Sequence, residues 1–199
     1  HPALRGSASW YSHNDIIQGA ELSKIWNRIK GFVGAAGLSV TLLAGFGATD
    51  QVRAQDPSFL NISFGRYDFN RKKADTFEGG IQYRSDQKLW IFQPMAGAMV
   101  NGNRTTNIYA GVSLDIFFGD RWVVTPGFAP SLYWRGSSKN LGEILEFRSS
   151  IDVAYRFDDR SRLGLEFYHL SNAGLDRHNP GTEVLLAKYS IPIGQISGK

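Results

Sequence analysis

Residues 163–193 read LGLEFYHLSNAGLDRHNPGTEVLLAKYSIPI, two runs of alternating polarity around a connection rich in Gly, Asn and Pro. A β-strand turns successive side chains to opposite faces, so residues two apart share a side. Leu163, Leu165, Phe167, His169 and Ser171 then fall on one face of the first run. In the second run, Glu183 shares parity with Leu185, Ala187, Tyr189, Ile191 and Ile193. A His, a Ser and a Glu are therefore expected on the apolar faces of two adjoining strands, close to the end where a hairpin joins them.

The same alternation runs upstream, and no segment keeps a helical period. Leu60, Ile62 and Phe64 alternate with polar or small residues, as do Phe77, Gly79, Ile81 and Tyr83. A more uniformly apolar run over 88–100 ends at the turn signal Asn101-Gly102-Asn103. Thr106, Ile108, Ala110, Val112, Leu114 and Ile116 form the next face, and Gly119-Asp120 leads into a strand over 122–134. Leu145, Phe147, Ser149, Ile151, Val153, Tyr155 and Phe157 precede the turn Asp158-Asp159-Arg160-Ser161. With the two opening runs, eight strands are expected.

Eight such strands close either as a soluble lipocalin-like barrel, apolar inside, or as an outer-membrane barrel, apolar outside and polar within. Periodicity alone leaves both open. Several runs reach the roughly 9–11 residues of a tilted membrane crossing. Aromatics recur near the strand ends (Tyr67, Tyr83, Trp90, Trp122, Trp134, Tyr155, Tyr168, Tyr189), as an interfacial girdle requires. The opposing faces carry Glu78, Asp115, Glu146, Arg148, Asp152, Arg156, Glu166 and Lys188, enough charge of both signs for an ionic interior.

The N-terminal third adds weight to the membrane reading. Lys24, Arg28 and Lys30 precede an apolar stretch over 31–48, and the small residues Val52 and Ala54 stand at the minus-three and minus-one positions of a cleavage site. A spanning helix takes about 20 apolar residues, and this run is shorter and broken by Gly, Ser and Thr. Residues 1–23 are expected to be an upstream extension outside the working protein, 24–54 a signal peptide cleaved after Ala54, and 55–199 the barrel. The 199 residues contain no Cys, which excludes a disulfide framework and thiolate metal sites. The net charge of +4 is mild and its basic residues are scattered, with Arg71, Lys72 and Lys73 the tight cluster. That pattern argues against a nucleic-acid partner. The expected fold is all-β: an eight-stranded antiparallel transmembrane barrel of the outer-membrane kind, behind a cleavable leader.

A polar residue facing lipid is costly in the hydrocarbon region and cheaper near the interface. His169, Ser171 and Glu183 therefore need either an interfacial position or a chemical role. A serine hydroxyl becomes a useful nucleophile when a base takes its proton and a third group holds that base in the right tautomer. On a strand, His169 and Ser171 are same-face neighbours, and Glu183 on the adjoining strand is placed to orient the imidazole. Asn172, Asn179 and the backbone N–H near Gly174 are candidate donors for a tetrahedral oxyanion. The residues alone leave three classes open: an esterase, a non-enzymatic envelope barrel, and a soluble ligand carrier.

HLSNAG at 169–174, NPGTE at 179–183 and the closing KYSIPI together resemble the active-site hairpin of the lipid A 3-O-deacylases of PagL type. The resemblance implies an eight-stranded outer-membrane barrel with a Ser-His-Glu triad on its lipid-facing surface. By it, Ser171 is the nucleophile, His169 the base, Glu183 the orienting acid, and Asn172 or Asn179 part of the oxyanion hole. It implies the ester-linked acyl chain at the 3-position of lipid A as substrate, the outer membrane as location, and no metal or cofactor.

Overall fold

The computed structural model describes residues 56–70 and 74–193. The upstream extension, the signal sequence through Ala54 and the Arg71, Lys72, Lys73 cluster lie outside the described residues. The strands are β1 (Ser58–Tyr67), β2 (Thr76–Arg84), β3 (Gln93–Asn101), β4 (Thr106–Ser113), β5 (Ile116–Phe118), β6 (Trp122–Trp134), β7 (Leu145–Arg156), β8 (Arg162–Ser171) and β9 (Thr182–Ile193). Every pairing is antiparallel, β1 meets β9, and β4 and β5 both meet β6, so the sheet closes on itself.

β4 and β5 are two parts of one stave, which makes the barrel eight-stranded. Ser113 opposite Gly127 and Ile116 opposite Val124 belong to one unbroken register on β6. The interruption at Leu114 and Asp115 has a cause on the facing strand. Pro126 accepts from Leu114 N at 3.0 Å but has no N–H to return, so the ladder loses a rung there.

The faces divide as the alternation requires. Leu163, Leu165, Ile81, Phe64 and Val100 stand on the outside, with Leu165 58% exposed, whereas Arg162, Glu166, Tyr168 and Leu170 on the same β8 are buried. An apolar exterior around a polar interior is the arrangement of an outer-membrane barrel and the inverse of a lipocalin. The interior is layered. Towards the short turns, Arg162 binds Asp56 at 2.6 Å and Asp115 at 2.8 Å, and Arg84 joins Asp115 at 2.8 Å. At mid-height Arg148 pairs with Glu166 at 2.9 Å and Lys188 with Asp152 at 2.7 Å. Beneath the longer loops lies an apolar plug of Tyr67, Met99, Tyr133, Leu141, Tyr168, Leu170, Val184 and Leu186, with the buried carboxyl groups of Asp68, Glu78 and Glu146 at the same end. This plug backs the β8–β9 hairpin from within.

Two expectations change. The strand expected from residue 88 begins at Gln93, because Leu89 and Phe92 close a tight turn through reciprocal backbone bonds of 2.8 and 3.1 Å with Trp90 at a positive φ. A uniformly apolar run carries no phase to mark its own start. Tyr67 and Tyr168, expected in an aromatic girdle, are both buried in the lumen. Their parity turns them inward, where Tyr168 donates to Glu78 at 2.7 Å and Tyr67 meets the Tyr133 hydroxyl at 2.9 Å. Trp122 and Trp134 remain exposed at strand ends, and Trp90 is exposed in the turn before β3.

Candidate active site

Tyr168, Leu170, Val184 and Leu186 enter the apolar plug, and the strand period then forces the residues between them outward. His169 and Glu183 are direct cross-strand partners. Imidazole Nδ1 lies 3.3 Å from Glu183 Oε1, with the two side chains 40% and 14% exposed. Ser171, the last residue of β8, shares their face and stands opposite Phe147 of β7. With Nδ1 turned to the carboxylate, Nε2 is the nitrogen left for a hydroxyl. Among the described residues no hydrogen bond joins Ser171 Oγ to the ring. Contacts of this kind commonly tighten only in the substrate complex.

The connection after Ser171 is built around Asn172, which is fully buried. Its Nδ2 donates to the carbonyls of Leu141 at 2.9 Å and His178 at 3.0 Å, and its Oδ1 accepts from Gly174 N at 2.9 Å. Its backbone N–H donates to Asn179 Oδ1 at 3.1 Å. These bonds separate the three oxyanion candidates. The Asn172 amide is consumed in holding the loop, and the Gly174 N–H is engaged with it. Asn179 is exposed with only its oxygen held, so its Nδ2 donors are in no hydrogen bond among the described residues.

Two supports were not legible in the sequence. Leu141, from the β6–β7 loop, is buried in the plug and takes the Asn172 bond; the same loop accepts from His178 Nε2 through Asn140 O at 3.2 Å. Asp68, fully buried after β1, binds Lys139 Nζ at 3.0 Å, Thr182 Oγ1 at 3.1 Å and Ala74 N at 3.1 Å. Thr182 immediately precedes Glu183, so a carboxylate from the β1–β2 loop and a lysine from the β6–β7 loop fix where β9 begins. These partners are 71 and 114 positions from Asp68, and nothing local in the chain marks them.

The family model for lipid A 3-O-deacylase (PagL) matches residues 75–192, more than half of the chain. The chain belongs to this family. A curated relative, the lipid A deacylase PagL of Bordetella bronchiseptica, is 27% identical over 74 residues, covering 36% of this chain and 42% of the relative. The matched stretch thus spans less than half the length of that relative. The crystal structure of the outer membrane enzyme PagL superposes with a TM-score of 0.55 at 23% identity, over 68% of this chain and 99% of the other. That likeness is one of fold. Among the described residues no group of three or more His, Cys, Asp or Glu side chains is placed to hold a metal ion.

Proposed function

We propose that this member of the PagL family is an outer-membrane lipid A 3-O-deacylase that uses Ser171, His169 and Glu183 to hydrolyse the ester-linked acyl chain at the 3-position of lipid A. The observation that carries the reading is the His169–Glu183 contact beside Ser171 on the outward, lipid-facing side of a closed barrel. A lipid whose ester lies at the interface reaches this face from the side, without entering the lumen. The site stands at the longer-loop end, the extracellular end in barrels of this class.

In the mechanism, Ser171 Oγ attacks the ester carbonyl carbon while its proton passes to His169 Nε2. Glu183 keeps the Nδ1–H tautomer and stabilises the imidazolium that forms. Negative charge on the former carbonyl oxygen is met by Asn179 Nδ2, with the backbone around Gly174 as the second candidate donor; Asn172 serves by holding both in place. The carbon–oxygen bond to the sugar breaks, and the sugar hydroxyl leaves with the proton from Nε2. Water, deprotonated by the same imidazole, then releases the fatty acid from Ser171.

The test is a mass spectrum of lipid A from cells expressing the chain. The expected result is loss of one 3-linked acyl mass, absent from cells expressing Ser171→Ala. Unchanged lipid A with the wild-type barrel assembled in the outer membrane would leave a non-enzymatic barrel as the reading.

A further inference from the structure

Gly181 lies in the left-handed region with φ +59°, which by itself favours glycine. Its surroundings ask for more than that. A Cβ added there would lie 2.7 Å from His169 Cε1 and 3.1 Å from His169 Nε2, where ordinary carbon contacts are about 3.5–4.0 Å. We propose that Gly181 is a positioning residue for His169: the side chain it lacks is the space in which the imidazole lies with Nδ1 on Glu183 and Nε2 open to Ser171. This inference rests on the deacylase reading of the site and names a part of the machinery that no triad motif contains.

The argument turns on which partner gives way. The backbone at 181 is held on its C-terminal side, because Thr182 pairs with Leu170 in the β8–β9 ladder and its hydroxyl is bound to buried Asp68 at 3.1 Å. The imidazole is the end of a half-exposed side chain held by one 3.3 Å contact. A methyl at 181 therefore moves the ring by roughly 1 Å, the shortfall from ordinary contact. That displacement is cheap for the fold. It is expensive for proton transfer, since a misplacement of this size costs on the order of 100-fold in rate.

The competing explanation is that glycine is required only by the backbone. Gly119, in the β5–β6 turn at the far end of the barrel, separates the two. It has φ +62°, and a Cβ there meets nothing within 4 Å. Gly119→Ala thus carries the backbone strain without the ring contact. Gly181→Asn carries the ring contact with less strain, because Asn tolerates the left-handed region.

The experiment measures kcat and KM on purified lipid A in detergent for the three variants. It also records the ¹³Cε1–¹Hε1 resonance of His169, assigned by its disappearance in His169→Asn, and folding by unboiled gel migration. Gly181→Ala and Gly181→Asn are expected to lose about 100-fold in kcat with KM within about twofold of wild type, and to displace the His169 resonance while the barrel stays folded. Gly119→Ala is expected to keep both kcat and the resonance. The proposal is overturned if folded Gly181→Ala keeps its kcat, if the His169 resonance does not move, or if both position-181 variants fail to fold, which would assign the glycine to chain conformation. Should the wild type itself show no deacylation, the proposed function fails, and the resonance alone still decides the contact.

Discussion

Glu166 and His169 stand three residues apart on β8, and each meets an oppositely ionisable partner on a neighbouring strand. Glu166 faces the lumen with Arg148 at 2.9 Å and Lys188 at 3.6 Å, all nearly sealed from solvent. His169 faces outward at the rim with one carboxylate at 3.3 Å and 40% of its side chain exposed. The inner group is held by two cations, and the guanidinium of Arg148 also stacks over the Tyr168 ring at 4.0 Å. It can hold the barrel together but has no route to a substrate. The outer pair is anchored on one side and open on the other, as a base that must give and take protons requires. One strand thus carries a sealed ion network and the outward pair proposed to be reactive, separated by the pleat.

That contrast can be broken first at the outer face. Ser171→Ala and His169→Asn should each lower turnover by at least about 10⁴-fold, and the double variant should be no worse than either, because members of such a unit act together. The measurement is released 3-linked fatty acid. Unboiled samples should still migrate as folded barrel, since neither side chain enters the core. Residual turnover in Ser171→Ala above that of His169→Asn would remove Ser171 from the nucleophile's role.

Glu183→Ala comes next. The Ser and His can still react without the orienting acid, so its loss of kcat should be roughly 10–100-fold smaller than that of Ser171→Ala. Equal losses would mean that the His169–Glu183 contact decides the imidazole's position as well as its tautomer.

The inner face should respond in the opposite sense. Arg148→Leu strips Glu166 of its closest cation and leaves a buried carboxylate with Lys188 alone, a loss of about 3–5 kcal/mol of stability. Turnover per folded molecule should stay near wild type. The midpoint of unfolding in denaturant and specific activity of the folded fraction check the two halves. A variant that is stable but slow would show that the lumen network reaches the site.

The smallest effect belongs to the link between the regions. Thr182→Val removes the hydroxyl that binds Asp68 at 3.1 Å, which should cost about 1–2 kcal/mol and no more than a few-fold in kcat. Strands β1 and β8 keep the register of β9 by their own ladders, so Glu183 stays opposite His169.

Much of the molecule is legible in its alternation. Once one face of a run is apolar, the two-residue period assigns every other side chain, and Leu163, Leu165, His169 and Ser171 stand together outside as the pattern demands. The period also brings Glu183 to the matching face of β9. Parity cannot say where a uniformly apolar run begins, so Gln93 as the start of β3 and the turn at Leu89–Phe92 were hidden. An aromatic near a strand end also does not announce its side, and Tyr67 and Tyr168 went to the lumen because their own parity, not their proximity to an interface, governs them.

The sequence by itself determined the strands, their faces, and the three residue types that meet on one of them, because those follow from a local period and from hairpins that join neighbours in the chain. The tertiary structure decided the contacts that make a site of them. The His169–Glu183 distance, the Asn172 bond to Leu141, the Asp68 clamp on Thr182 and the space beside Gly181 all depend on loops brought together only when the barrel closes. Closure sets strand tilt and register at once, and neither is written in any single stretch of the chain.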